Sequence, residues 1–214
     1  MSHAADPVAD LVDLRFALQG SIVGLDYADA LATALEDALP WFGGETQVGV
    51  HPLGGLSPGA GVWYLSSRTR LTLRLPRQRL DAARRLTGTP LTVGEHVLSV
   101  GASSTHDLMH ASVVYASFVT FGVEAPGGVI DEAGFLARCR RELEEMNLAT
   151  RLICGKAKQA SSAAGLLSGF SLMVADLDVA GTLLLQQQGL GNQRKRGCGI
   201  FVPHKSMAPA ATLE

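Results

Sequence analysis

The chain has 214 residues, of which 47% are hydrophobic and 18% charged, and its formal net charge is −2. This is enough sequence for one large domain or two small ones of about 100 residues with buried cores, and the small negative charge excludes a chain that attracts polyanions over its whole surface. The composition also excludes a membrane helix, because no apolar run approaches the roughly 20 residues required.

The N-terminal segment gives no sign of export. Residues 1–10 contain two aspartates, no Lys or Arg, and no apolar core of the kind that a secretory signal needs. The cysteines, Cys139, Cys154 and Cys198, are too few and too far apart for a disulfide framework or a zinc site. We therefore expect a cytoplasmic protein without a bound metal or a small-molecule cofactor.

The first half of the chain predicts the order strand, helix, two or three strands, helix and strand. Residues 12–18 alternate apolar and polar side chains, which is the period of a β-strand. Asp26 is placed to cap the following helix, which Pro40 ends. The remaining predicted elements are strands at 46–51, 62–65, 70–75 and 91–100 and a helix at 77–86.

The second half repeats this order of elements, although not the residues. Strands are predicted at 112–121, 151–154, 166–174 and 197–202, and helices at 131–146 and 176–188. We expect Val179, Leu183 and Leu184 to form the buried stripe of the second of these helices. Two βαββαβ units in tandem predict an α+β protein with two ferredoxin-like (RRM-like) domains.

The domain boundaries are predicted from this repeat. The N-terminal ferredoxin-like domain is expected to be 1–102, the linker 103–111, and the C-terminal domain 112–206. A glycine-rich loop, 189–199, lies near the end of the second domain, and 207–214 is expected to be a disordered tail.

Basic residues are concentrated in two regions. Residues 1–65 hold eight acidic side chains and one basic one, whereas the rest of the chain holds 12 acidic and 17 basic ones. Within 66–86 there are seven arginines and a single aspartate. Among them, Arg68, Arg70 and Arg74 share or extend the polar face of their predicted strand, so we expect them to contact phosphates. A solvated face without a ligand is the alternative.

The second basic region is rich in glycine. Residues 189–205 contain Arg194, Lys195, Arg196 and Lys205 and no acidic residue. The glycines are Gly189, Gly191, Gly197 and Gly199. Glycine permits positive φ and close backbone approach, so exposed amides here can bind phosphate oxygens while the basic side chains add charge. The spacing fits neither a nucleotide P-loop nor a dinucleotide fingerprint, and a glycine-rich turn with a solvated basic tip is the alternative.

The same region carries a family resemblance. Its pattern Gly-Leu-Gly-x5-Gly-Cys-Gly-Ile-Phe-Val-Pro-His-Lys resembles that of the CRISPR repeat-processing endoribonucleases of the RAMP superfamily, in particular their myxobacterial-type subfamily. The resemblance continues in the segments 13–20, 38–41, 48–54, 67–76 and 111–120. It implies that the loop holds CRISPR repeat RNA near the cleavage site, that cleavage needs no metal, and that the product stays bound beside other subunits of a Cascade-like effector.

Cleavage without metal needs a base that takes the proton of the ribose 2′-OH, and histidine is suited to this because its ordinary pKa is about 6.5. His51 follows a predicted strand and matches the histidine of the family's Gly-x-His-Pro segment, so we predict that it is the catalytic base. A strand-end histidine bonded to backbone is the alternative. Tyr27 stands where many relatives carry a histidine; it is a poor base but can donate a hydrogen bond. His204, beside the loop, is predicted to contact RNA or solvent.

Three functions are compatible with these residues. The one we predict is a metal-independent endoribonuclease that leaves a 2′,3′-cyclic phosphate and a 5′-hydroxyl. The second is a repeat-RNA-binding subunit of a CRISPR effector with little or no turnover, which Tyr27 in place of a histidine would favour. The third is an anion-binding structural protein unrelated to RNA.

Overall fold

A computed structural model describes residues 10–123, 131–163 and 165–204. The strands are β1 Leu11–Gln19, β2 Ile22–Gly24, β3 Gly49–Val50, β4 Ser57–Gly59, β5 Val62–Tyr64, β6 Arg70–Pro76, β7 Pro90–Val93, β8 His96–Asp107, β9 Val113–Val123, β10 Arg151–Ser162, β11 Gly165–Ala175 and β12 Val202–Pro203. The helices are α1 Tyr27–Ala38, α2 Leu80–Arg84, α3 Glu132–Glu145 and α4 Val179–Gln188, with short 3₁₀ turns at Arg77–Arg79 and Arg194–Arg196.

Two antiparallel sheets organise the chain. The first has the strand order β3-β6-β1-β8-β7 and the second the order β10-β11-β9-β12. The four strands of the first βαββαβ unit are β1, β3, β6 and β8, and those of the second are β9, β10, β11 and β12. In each sheet they lie in the order second, third, first, fourth, which is the ferredoxin-like arrangement. The predicted α+β architecture of two tandem ferredoxin-like units is therefore confirmed. A small third sheet, β2-β5-β4, lies beside the first unit.

Each of these two sheets has its own apolar core. Alternating residues of β1, such as Leu14 and Phe16, pack with Leu31 and Leu35 of α1, as the strand and helix periods predict. In the second unit, Phe135, Cys139 and Leu143 of α3 are buried against β9 and β11. Asp131 caps α3, accepting a 2.7 Å hydrogen bond from the Gly134 amide, whereas Asp26 makes no such bond to α1.

Several elements differ from the sequence prediction, and of the closing strand predicted at 197–202 only Val202 lies in a strand, β12. The strand predicted at 91–100 is a hairpin of β7 and β8. β8 continues along β1 as far as Asp107, so five of the residues assigned to a linker, 103–107, are paired strand. The helix predicted at 77–86 consists of a 3₁₀ turn followed by the short α2. Among the described residues, no helix is long and apolar enough to cross a membrane.

The predicted buried stripe of α4 is wrong. Val179 is 56% exposed, and the buried residues are instead Gly181, Thr182, Leu185 and Gln186. The reason is that α4 packs on the segment between the two sheets. Thr182 Oγ1 donates to the Ala111 carbonyl at 2.7 Å and Gln186 Nε2 to the Met109 carbonyl at 2.8 Å, so this helix buries polar groups whose partners come from outside it.

Candidate functional site

A buried arginine joins the two halves of the molecule. Arg74 of β6 is paired with Asp13 of β1 in the sheet, and its side chain is fully buried. Its Nε and Nη2 donate to the two Asp13 carboxylate oxygens at 2.8 and 3.0 Å. Its Nη1 donates to the carbonyls of Gln186 and Phe201 at 2.9 and 2.8 Å. The first half thus supplies the ion pair and the second half the remaining acceptors.

The prediction that Arg74 lies on an RNA-facing surface is therefore wrong, because the second half of the chain covers this end of the sheet face. Arg68 and Arg70 lie beyond the covered part and are exposed. Arg70 donates to the carbonyls of Ser67 and Thr69, both at 2.8 Å. These two arginines remain accessible to a polyanion, and their contact with RNA stays a prediction.

His51 completes a cluster with Asp13 and Arg74. It directly follows β3; its backbone amide donates to the Thr72 carbonyl at 2.9 Å, and its Nε2 lies 3.1 Å from Asp13 Oδ1. Burial acts to raise the pKa of Asp13, but the hydrogen bonds from His51 and Arg74 outweigh it and hold that pKa well below its usual range. Asp13 is therefore ionised and can only accept, so His51 Nε2 is the donor and the lone pair resides on Nδ1.

The protonation of His51 follows from the same surroundings. Burial lowers the pKa of His51 below its ordinary value of 6.5, despite the opposing effect of Asp13. The imidazole is consequently neutral at pH 7 and able to accept a proton at Nδ1. Its side chain retains 14% exposure. The histidine is therefore more than a strand end bonded to backbone, since the carboxylate fixes its tautomer.

The four glycines of the glycine-rich loop serve close packing. All four have positive φ, between 65° and 82°. A Cβ at Gly191 would lie 2.2 Å from the Thr120 carbonyl oxygen, and one at Gly199 would lie 2.2 Å from that of Leu190. The amides of the four are not free for phosphate: Gly189 donates to Leu185, Gly191 to Glu142, Gly197 to Arg194 and Gly199 to Phe118. The exposed amides expected from the sequence are thus used inside the protein.

The basic residues of the loop dock it onto the first half of the chain. Lys195 Nζ donates to the Gly43 carbonyl at 2.6 Å and lies 5.3 Å from the centre of the Phe42 ring. Arg196 forms an ion pair with Asp29 in the first turn of α1, and its side chain is 34% exposed. Both side chains are partly accessible, so each can still reach a phosphate on its outer side.

Arg194 differs from its two neighbours. Its Nη1 donates to the Gln187 carbonyl at 2.6 Å and to that of Gln188, at the C-terminal end of α4. Its Nε and Nη2 are buried and find no hydrogen-bond partner among the described residues, and burial lowers the pKa of Arg194 to about 10. This guanidinium caps a helix end and holds the loop, so the predicted phosphate contact is not available to it in this conformation.

A cavity of about 490 Å³ lies where α1, the glycine-rich loop and the second sheet meet. Tyr27, at the start of α1, lines it together with Lys158 of β10 and Arg196 of the loop. The Leu53 amide donates to the Tyr27 hydroxyl oxygen at 2.9 Å, and burial raises the pKa of Tyr27. The phenol is therefore protonated at neutral pH, and its own proton is available for donation.

The structure brings only some of the predicted residues to this cavity. Tyr27, Arg196 and Gly197 line it, and His51 directly precedes Pro52 in its wall. His204 follows β12 and packs against β9 instead, with its amide donating to the Val113 carbonyl and its ring 5.8 Å from that of Tyr115, and Lys205 is outside the described residues. The sequence did not mark Asp13, which shares the polar face of its strand with Arg15, or Lys158, which lies in no local pattern.

Metal ligands are not grouped at this site. Within residues 10–123, 131–163 and 165–204, no three His, Cys, Asp or Glu side chains are placed to hold a metal ion together. The groups that line the cavity are a tyrosine hydroxyl and two cations, and the Asp13–His51 pair lies next to it through Pro52.

Comparison with known proteins identifies the family. The family model described as Cas6 Crispr matches residues 12–206. The CRISPR-associated endonuclease Cas6 of Myxococcus xanthus is 34% identical over 192 residues, which cover 90% of this chain and 81% of that protein. A Cas6-related protein of Pyrococcus furiosus has a similar fold, with a TM-score of 0.66 at 12% identity, covering 89% of this chain and 97% of the other. Cse3 of Thermus thermophilus, solved with an RNA representing a pre-cleavage complex, has a similar fold as well. Its TM-score is 0.52 at 14% identity, and the match covers 94% of this chain and 100% of that one. The chain belongs to the Cas6 family of CRISPR proteins.

Proposed function

We propose that this chain binds CRISPR repeat RNA and cuts the precursor in the cavity beside Tyr27, without a metal ion, leaving a 2′,3′-cyclic phosphate and a 5′-hydroxyl. The observation that carries the proposal is the convergence of Tyr27, Lys158 and Arg196 on one cavity next to the His51–Asp13 pair. The Myxococcus xanthus relative, which is named an endonuclease, supports it. The protein then stays bound to the cut RNA beside other subunits of a Cascade-like effector.

The chemistry is assigned to side chains of this protein. The ribose 2′-oxygen attacks the adjacent phosphorus while its proton passes to Nδ1 of His51, and the bond from phosphorus to the 5′-oxygen breaks. That oxygen takes a proton from solvent. Lys158 and Arg196 neutralise the charge that develops on the phosphate, and the Tyr27 hydroxyl donates to one of its free oxygens.

A second function, the repeat-RNA-binding subunit with little or no turnover, is favoured by the residues that line the cavity. The titratable group that lines the cavity at the start of α1 is a tyrosine with a raised pKa, and His51 contributes its neighbour Pro52 to the wall rather than its own ring. If the bound RNA does not reach Nδ1, the same surface binds without cutting.

A cleavage assay in EDTA tests both functions. Labelled repeat RNA is incubated with excess protein, with and without EDTA, and the product ends are analysed. We expect one cut site, equal rates in both conditions and a product that acquires a 3′-phosphate only after acid treatment. Tight binding without any cut would establish the binding subunit, and loss of cutting in EDTA would overturn the metal-free mechanism.

The loop prediction is now restricted to Lys195 and Arg196. Each phosphate contact removed should reduce the slope of log affinity against log salt by roughly 0.7 to 0.9. Replacing both with alanine should therefore lower the slope by about 1.5, measured by RNA titration at several salt concentrations. Arg151→Ala is the matched control, because it removes an exposed arginine paired with Asp176. Equal slopes for the double variant and the wild type would contradict the contact.

A further inference from the structure

The cavity beside Tyr27 has two chemically different walls. From the first half of the chain it receives mainly apolar side chains, including Leu25, Leu53, Leu56 and Trp63. From the second half it receives mainly polar ones, including Ser117, Lys158, Gln159 and Arg196. The two cations and the tyrosine hydroxyl account for a phosphate, but they leave the apolar wall without a role in the reaction.

Part of the apolar wall is open to solvent, although Leu53 belongs to the buried core of the first half and Leu56 and Trp63 pack against that core. Leu25 is 52% exposed and Trp63 is half-buried, and Phe118, an apolar residue that reaches the cavity from the second half of the chain, is half-buried as well. Single exposed apolar residues are ordinary in a protein surface, but these three line the same cavity. Covering them with a flat apolar group would remove their surface from water, which is favourable in proportion to the area buried.

A nucleotide matches both walls. The cavity volume of about 490 Å³ is within the range of roughly 300 to 1,000 Å³ that is typical of small-molecule sites. Proteins read single-stranded RNA by stacking unpaired bases on aromatic side chains and bonding to their edges, and a glutamine amide offers both a donor and an acceptor for such an edge.

We propose that this cavity receives one unstacked base of the RNA, from a nucleotide flanking the scissile phosphate. The base stacks on Trp63, Gln159 bonds to its edge, and Lys158 and Arg196 hold the neighbouring phosphate. This inference rests on the proposed function and adds to it a determinant of sequence choice at the cut site.

An abasic substitution tests the stacking. Repeat RNA with a 2′-deoxy nucleotide at the cut is not cleaved, so its affinity can be measured directly. Removing the base on one side of the cut should weaken binding to the wild type about 5- to 100-fold, as stacking on an aromatic side chain implies. Trp63→Leu should weaken binding of the intact RNA by a similar factor, and the abasic substitution should then have no further effect.

Tyr64→Leu is the matched control, because Tyr64 is the next residue of β5 and 48% exposed, with its ring against Gly59. In the Tyr64→Leu variant, removing the base from the RNA should weaken binding as much as it does in the wild type. A second measurement avoids any folding defect of Trp63→Leu: the chain has two tryptophans, so Trp41→Phe leaves Trp63 as the only one. Intact RNA should quench its fluorescence, and RNA lacking the stacked base should not.

Two failures are distinguishable. If the wild type binds or cuts the intact RNA but no abasic position near the cut changes its affinity, the base site is wrong and the proposed function stands. The same conclusion follows if the abasic substitution weakens binding to the Trp63→Leu variant as much as to the wild type. If the wild type neither binds nor cuts the intact RNA, the proposed function fails and the base site fails with it.

Discussion

His51→Ala is expected to slow single-turnover cleavage of repeat RNA by about 10²- to 10⁴-fold, the usual contribution of a general base. Affinity for the RNA should barely change, because a neutral imidazole adds little to phosphate binding. The reason to expect a base here is the Asp13 carboxylate 3.1 Å away, which fixes the proton on Nε2 and leaves Nδ1 to accept another. The measurement is a rapid-mixing time course with protein in excess.

His51→Gln separates catalysis from positioning. A glutamine amide can still donate to Asp13 and hold the segment that leads to Pro52 and Leu53, but it cannot take a proton. If His51 is the base, the glutamine variant should be as slow as the alanine variant. If His51 only orients the cavity wall, the glutamine variant should recover most of the activity. Tyr27→Phe should have a smaller effect than His51→Ala, and the opposite order would move the active centre to the start of α1.

The pH dependence of the cleavage rate tests independently whether His51 is the base. The base must be unprotonated, and burial lowers the pKa of His51 below 6.5. Cleavage should therefore rise with pH and reach half of its plateau below pH 6.5. The glutamine variant should lose this acid limb. An acid limb centred above pH 6.5 would assign the titration to another group.

Arg74→Leu should lower the free energy of unfolding by about 3 to 5 kcal/mol, the usual loss when one member of a buried ion pair is removed. The substitution leaves the Asp13 carboxylate buried with His51 as its remaining partner, and it leaves the carbonyls of Gln186 and Phe201 without their donor. Denaturant unfolding followed by circular dichroism measures the loss.

Arg70→Ala is the control on the same strand. Arg70 is exposed, and surface substitutions usually change stability by less than about 0.5 kcal/mol. If the two variants were equally stable, Arg74 would not be the link between the two halves of the chain. Arg70→Ala should instead lower RNA affinity if its predicted phosphate contact exists.

The residue pattern alone determined the order and kind of most elements. Alternation in 12–18 and 70–75 gave β1 and β6, and the helical stripe of 131–146 gave α3, because both periods are local properties of the backbone. The resemblance carried by 189–205 pointed to the family. It also placed His51 and Tyr27 among the functional residues, although it could not show what either side chain contacts.

Only the tertiary structure decided which faces are covered. In β6, alternation predicts Arg74 to be as solvated as Arg70, yet Arg74 is buried because Gln186 and Phe201, more than 100 residues away in sequence, supply its acceptors. The same holds for α4, whose buried face follows the carbonyls of Met109 and Ala111 rather than its own apolar stripe. Burial depends on the element that packs against a face, and that partner comes from a distant part of the chain. The cavity shared by Tyr27, Trp63 and Lys158 therefore has no signature in any one segment of the sequence.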